Sequence, residues 1–222
     1  MFVDRRDAGK RLAKLLRRFR GDDVVVLALP RGGIVLGAEV AKALKAPLGL
    51  VLVRKIGHPE YSEYAIGAVV EHEKPVYNQS EIIGIDEAWL KQAEAAAKKL
   101  IENRRQLYYG QDFVPPEVSG KTVILIDDGI ATGLTMDAAV RNVRNRHPKQ
   151  VIVAVPVASQ ESVNELENMA DEVIVLDNPE DFLGSVGAHY QEFAQVNDDT
   201  VRALLLEVRR DIQQGVAANQ IT

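Results

Sequence analysis

The 222-residue sequence contains no cysteine, which excludes disulfides and thiolate metal sites outright. Histidine is almost as scarce. His58, His72, His147 and His189 are the only four, and no two are spaced at i, i+3 or i+4, so a histidine metal cluster is not expected. Aromatics make up 5% of the chain, and no apolar run approaches the roughly 18 residues of a membrane span. The opening MFVDRRDAGK carries charge with no apolar stretch behind it and does not read as a signal peptide. A surplus of positive charge is missing too: the net charge is −5. Phosphate backbones attract basic surfaces, so a nucleic-acid partner is not expected. A cytoplasmic location, which the lack of cysteine permits, with no membrane partner, is the resulting expectation.

What is present reads as an ordinary globular protein, 46% hydrophobic and 27% charged. The length suits one large α/β domain with a core that needs no staples. One basic cluster, Arg5 to Arg20, carries Leu12, Leu15, Leu16 and Phe19 at helical spacing. It reads as a core-packed helix with a solvated basic face, with contact to a nucleic acid or membrane surface as the alternative.

Short β-branched runs alternate with helical patterns, which predicts an α/β fold with a mainly parallel sheet flanked by helices. The strand candidates are Val24–Leu29, Leu48–Val53, Thr122–Asp127, Val151–Pro156 and Val173–Leu176. Helices are predicted at Gly33–Leu44, Leu134–Arg146 and Gln160–Met169, and a hairpin at Ala65–Val70 with Pro75–Tyr77. A long helix over Asp86–Tyr109 interrupts this rhythm, with Asp86 as N-cap and Leu90, Ala93, Ala97, Leu100 and Leu107 as its apolar stripe. Asp112–Lys121, with two prolines and a glycine, reads as a linker. A last helix over Val196–Gln214 starts at Asn197 or Asp198.

The segment with the most chemistry is TVILIDDGIATGLTM, residues 122–136. An apolar strand ends in two carboxylates, Asp127 and Asp128. Gly129, Ile130 and the small turn Ala131-Thr132-Gly133-Leu134-Thr135 follow and open a helix. Small residues let backbone N–H groups converge on an anion, and a helix N-terminus adds partial positive charge. Adjacent carboxylates can each accept from one hydroxyl of a sugar diol. A phosphate and a diol therefore fit within one turn. Two acidic residues after a strand also suit a nucleotide-hydrolysing site, but that needs a Gly-Lys-Ser/Thr loop, which this chain lacks.

On these residues the chain resembles the type I phosphoribosyltransferase family, whose signature loop holds phosphoribosyl pyrophosphate (PRPP). The resemblance extends to Leu29-Pro30-Arg31-Gly32-Gly33, Arg54-Lys55-Ile56-Gly57, Glu63–Val69 and Val186–Tyr190, as in a bacterial and archaeal branch of that family. It implies a type I phosphoribosyltransferase-like core at about 21–177, with a small hood elaboration from 1–20 and 178–222, all in a single domain 1–222. It implies that Asp127 and Asp128 hold the ribose hydroxyls, and that the turn from Gly129 and Ala131 through Thr132, Gly133, Leu134 and Thr135 holds the 5′-phosphate. Pro30, Arg31, Gly32, Gly33, Arg54 and Lys55 would meet the pyrophosphate, with Arg31, Lys55, Asp127 and Asp128 as the catalytic set. A lid would run from Gly57 through Glu63 to Tyr64. Mg²⁺ would arrive with PRPP, with no direct protein ligand.

The implied reaction transfers the phosphoribosyl group to an acceptor, a nitrogenous base for most of the family, with release of pyrophosphate. The partners are PRPP and the acceptor, within nucleotide metabolism, and a homo-oligomer is allowed. Ala131 stands where hypoxanthine-guanine-type members carry an aspartate, which disfavours a 6-oxopurine. In the hood, Tyr190 and Phe193 read either as a stacking platform for a base or as core aromatics. Arg5 and Arg6 read either as contacts to an acidic acceptor or as surface charge. The alternative function is a PRPP-binding regulator without turnover, a reading that retention of Arg31, Lys55 and a lid-length loop disfavours.

Overall fold

The structure, a computed structural model, describes residues 1–21, 23–62, 64–71, 73–110 and 114–219, with side chains to 214 apart from that of residue 179. Glu63 of the expected lid and Asp112, which opens the expected linker, lie outside the described residues. In chain order the elements are α1 (Arg5–Leu16), β1 (Val24–Ala28), α2 (Gly33–Leu44), β2 (Leu48–Leu50), β3 (Val53–Gly57), β4 (Ala65–Val70) and β5 (Val76–Tyr77). They continue with α3 (Glu87–Tyr109), β6 (Thr122–Ile126), α4 (Leu134–Arg144), β7 (Gln150–Val155), α5 (Gln160–Glu167), β8 (Glu172–Val175) and α6 (Asp198–Asn219).

Five strands form a parallel sheet in the order β2-β1-β6-β7-β8. All five residues of both β1 and β6 are buried, as strands covered on both faces must be. Alternate residues point to opposite layers. Val24, Val26, Ala28, Ile124 and Ile126 pack with α1, α2, α3 and α6. Val25, Leu27, Val123 and Leu125 pack with α4, α5 and the apolar side chains of β4. The chain runs outward from β1 to β2, then returns to lay β6 on the other side of β1. That reversal is a topological switch point, and a crevice opens there beyond the carboxyl ends of β1 and β6. The expected parallel α/β sheet flanked by helices is thus present. Among the described residues no helix is long and apolar enough to cross a membrane.

The expected strand Leu48–Val53 is two strands in two sheets. Leu48–Leu50 pairs with β1, whereas Val53 begins β3 of a separate antiparallel sheet ordered β3-β4-β5. Val51 and Leu52 between them are 3% exposed, so the run stays apolar across the crossing and hydropathy cannot mark it. Two expected helix faces also shift. On α1 the buried face is Ala8, Gly9, Leu12, Ala13 and Leu16, with Leu15 exposed. On α3 it is Ala97, Ile101, Tyr108 and Tyr109, with Leu100 and Leu107 exposed. In α1 small residues face α2 because the two backbones approach closely. A Cβ on Gly9 would lie 2.8 Å from the Cα of Leu36.

Candidate active site

β6 delivers its chain end into the crevice, and the residues that follow are shaped by their neighbours. Asp127 Oδ1 accepts the backbone N–H of Asp128 at 2.8 Å. Gly129 has no room for a side chain: a Cβ would sit 2.5 Å from Val186 Cγ1 and 2.7 Å from Val157 Cγ2. Ile130 bridges to Ala158 beyond β7. Ala131 then turns its carbonyl outward, where Ser159 Oγ and Ser162 Oγ donate to it at 2.8 and 3.1 Å. Gly133 caps α4 with φ +72, a conformation that costs glycine little. Leu134 N–H, the first of α4, donates to the Thr132 carbonyl at 2.9 Å, and the next N–H groups of the first turn lie beyond the reach of an intrahelical acceptor. Thr135 Oγ1 is buried there without a hydrogen-bond partner.

The loop after β1 lies against these carboxylates. Leu29 N–H donates to the Ile126 carbonyl at 2.9 Å, carrying the sheet pairing one residue past β1. The Pro30–Arg31 peptide is cis. Gly32 and Gly33 are required by crowding. A Cβ on Gly32 would fall 1.8 Å from Asp128 Oδ2, and one on Gly33 would fall 2.9 Å from Asp127 Cα. Arg31 extends its guanidinium to 4.0 Å from Asp198 Oδ1, at the first residue of α6. Arg54 and Lys55 are exposed on β3, and the Lys55 charge is close enough to act on Asp127.

A cavity of about 400 Å³ joins these parts. Its wall includes Pro30, Arg31 and Gly32 from the first loop, Arg54 and Lys55 from β3, and Asp127, Asp128, Gly129, Ala131, Thr132, Gly133 and Thr135 from the turn. Of the other expected site residues, Gly33 sits directly behind the aspartates, while Leu134 and Gly57 are absent from the wall. Gly57 belongs to the β3–β4 hairpin, whose tip is closed by His58 N–H donating to the Tyr64 carbonyl at 2.7 Å. Larger hollows lie on either side of the β4–β5 connection, one against α3 and one against α4. They hold none of this convergent chemistry.

The electrostatics of the cavity centre on the two aspartates. Asp127 is half-buried where it lines the cavity. Burial, and then the adjacent Asp128 charge, push its carboxyl well above the usual range, while the Asp128 N–H and Lys55 pull it back. Asp128 is held from two further segments. Arg5 Nε donates to Asp128 Oδ2 at 2.6 Å, and Tyr190 Oη donates to the Asp128 carbonyl at 2.6 Å. Burial and the nearby carboxylates raise the Tyr190 phenol, so it remains a donor. Tyr190 packs on Phe2 and Phe193, and Phe193 has the Arg5 guanidinium 3.7 Å from its ring centre. Tyr190 is therefore a buried packing group, while Phe193 remains 38% exposed. Arg6 is spent on Glu39 at 3.5 Å.

Local reasoning missed three contributors. Ser159 and Ser162 brace the turn, and Val186 lines the cavity. Ser159 could have been read as the N-cap of α5, which it is, but nothing local ties it to Ala131. Among the described residues no group of three or more His, Cys, Asp or Glu could hold a metal ion. The anionic oxygens in the cavity wall are those of Asp127 and Asp128, a donor set that fits a hard cation bringing its own oxygens.

A parallel α/β sheet whose crevice opens at the switch point, lined there by paired carboxylates beside a small-residue turn, defines a class of α/β proteins that bind ligands at their strand ends. Within that class the chain belongs to the phosphoribosyl transferase domain family, whose sequence profile matches residues 5–192. It is 40% identical, over 98% of its length, to a Mycobacterium tuberculosis protein provisionally named a phosphoribosyl transferase. The chain spans about half the length of the curated relatives it matches, 49% of that protein. It is also similar to the crystal structure of TT1426 from Thermus thermophilus, at 42% identity and a TM-score of 0.78, covering 93% of this chain and 98% of that one.

Proposed function

We propose that the chain is a PRPP-dependent phosphoribosyltransferase that moves the phosphoribosyl group onto a nitrogenous-base acceptor and releases pyrophosphate. The observation that carries this reading is the convergence of three segments on one cavity: the Arg31 loop, Lys55 on β3, and the Asp127–Thr135 turn. The 5′-phosphate would rest on residues 131–135, at the N-terminus of α4, where the Thr135 hydroxyl is buried without a partner. Asp127 and Asp128 would accept from the ribose hydroxyls and face the positive charge that grows on the ring in an oxocarbenium-like transition state. An acceptor lone pair bonds to C1 as the C1–oxygen bond breaks, and its electrons leave with the diphosphate. Arg31 and Lys55 would stabilise that leaving charge. Mg²⁺, bound mainly by the substrate's own oxygens, would neutralise further diphosphate charge.

The finer assignments rest on the same reading. Residues 1–20 and 178–222 would serve as the hood, since Phe2, Arg5, Val186, Tyr190 and Phe193 gather on the Asp128 side of the cavity. The Gly57–Tyr64 tip would act as a lid by closing over the cavity from β3 and β4. Tyr190, 6% exposed, would serve as a packing group, whereas Phe193 keeps 38% of its surface exposed. A panel of purine, pyrimidine and pyridine bases incubated with PRPP and Mg²⁺, scored for pyrophosphate release, tests the proposal. Release with at least one base is expected. A wild-type protein that does not bind PRPP in calorimetry overturns it.

A further inference from the structure

Arg5 has an unusual set of bonds for a residue at the first position of a helix. Its Nε donates to Asp128 Oδ2 at 2.6 Å, its Nη1 donates to the Ala194 carbonyl at 2.7 Å, and its guanidinium lies 3.7 Å from the centre of the Phe193 ring. The side chains of Arg5 and Asp128 are 12% and 16% exposed, so the pair is largely out of solvent. Three different groups hold one planar cation, and such a cation is a rigid strut rather than a surface charge. The strut is anchored in turn. Phe2 N–H donates to the His189 carbonyl at 2.8 Å and Gln191 N–H to the Phe2 carbonyl at 2.9 Å, which clamps the start of the chain to 189–192. Tyr190 Oη adds the bond to the Asp128 carbonyl.

We infer that Arg5 is a positioning residue of the sugar site, fixing the Asp128 carboxylate so that Oδ1 stays presented to a ribose hydroxyl. The inference rests on the reading of the cavity as a phosphoribosyl site. A carboxylate has about four acceptor directions on its two oxygens. Arg5 uses Oδ2, on the side of Gly32, where a Cβ would meet that oxygen at 1.8 Å. The glycine makes space for the carboxylate and the arginine keeps it there. The arrangement also ties residues 2–5 and 189–194 to Asp128.

The opposite role, a latch that the sugar must displace, makes the opposite forecast. If Arg5 positions Asp128, Arg5→Ala weakens ribose 5-phosphate binding, and by about tenfold if one charge-assisted hydrogen bond to the sugar is lost. If Arg5 is a latch, the same change tightens binding. Calorimetric titration with ribose 5-phosphate and, separately, with inorganic phosphate separates these outcomes from general damage. Positioning predicts loss toward ribose 5-phosphate with phosphate affinity unchanged, since the 131–135 turn makes no bond to Arg5. Arg5→Lys restores charge but not the three-point hold and is expected to recover binding only in part. Phe193→Leu removes the stacking face while keeping the cation, and covers the case in which Arg5→Ala does not fold. Its ribose 5-phosphate affinity should fall by a smaller factor. Unchanged or tighter ribose 5-phosphate binding in folded Arg5→Ala, or equal loss toward phosphate, overturns the inference. Wild-type protein that binds neither ligand instead overturns the reading of the cavity.

Discussion

Asp127 carries an ionisation that folding opposes. Burial and the Asp128 charge raise its folded pKa well above the usual carboxylate range, whereas in the unfolded chain it titrates near about 3.9. Between those two values the folded state holds more protons than the unfolded state, so stability falls as pH rises through that window. The penalty is absent below the unfolded value and complete above the folded one. Asp127→Asn removes the ionisation while keeping an oxygen that can accept the Asp128 N–H. The variant is therefore expected to melt higher than the wild type at pH 8, by about 2–4 °C for each kcal/mol recovered in a chain of this size. The gain should shrink at pH 5, and ribose 5-phosphate affinity should drop at both. An equal thermal gain at the two pH values would argue against a buried ionisation. The carboxylate pair itself was legible in the sequence because its two members are adjacent. The Arg5 strut was not, because contact across 123 residues leaves no local pattern.

At the scale of elements, periodicity located helices and strands well but placed their contacts poorly. α2 begins and ends where the sequence indicates, at Gly33 and Leu44, because a glycine pair opens it and Lys45 closes it with φ 57. The crossing between the two sheets was hidden by an unbroken apolar run. The outer edge of β2 is covered from α3, while the pairing to β1 runs one residue past Leu50, with Val51 N–H donating to the Ala28 carbonyl at 3.0 Å. Leu50 N–H donates to Tyr109 Oη at 2.7 Å, and Tyr109 is 7% exposed with its phenol pushed up to about 12, chiefly by burial. A tyrosine at the far end of a helix thus takes up an edge-strand donor. Tyr109→Phe leaves that N–H buried and unpaired, a loss of about 1–3 kcal/mol. Urea unfolding should show a lower midpoint with an unchanged slope, and ribose 5-phosphate binding should be unaffected. An unchanged midpoint would mean that water or a shifted carbonyl satisfies Leu50 instead.

Across the whole molecule, the candidate site is assembled from both sheets. The sequence placed Arg31 and Lys55 at ends of strands in one parallel sheet. In the structure Arg31 follows β1 of the parallel sheet and Lys55 lies in β3 of the antiparallel one, yet both face the same cavity. The motifs were readable because each is local. Their meeting depends on the turn of the chain after Leu50, which no motif records. This placement leaves the Lys55 side chain exposed on the cavity wall shared with the 131–135 turn, where its charge also acts on Asp127. An interaction that strengthens as diphosphate departs appears in kcat, whereas a uniform ground-state contact appears in KM. With an acceptor identified by the base panel, Lys55→Ala should lower kcat by a factor on the order of 10², the usual scale for one lost charge-stabilising donor. Ribose 5-phosphate has no diphosphate, and its affinity should stay within about twofold of wild type, a difference worth less than roughly 0.5 kcal/mol. Stopped assays for pyrophosphate release and calorimetry on the same preparation check both halves. Wild-type kcat in the variant would remove Lys55 from the leaving-group site. Parallel loss of ribose 5-phosphate and PRPP affinity would place its effect on the sugar or on Asp127, whose ionisation the Lys55 charge favours.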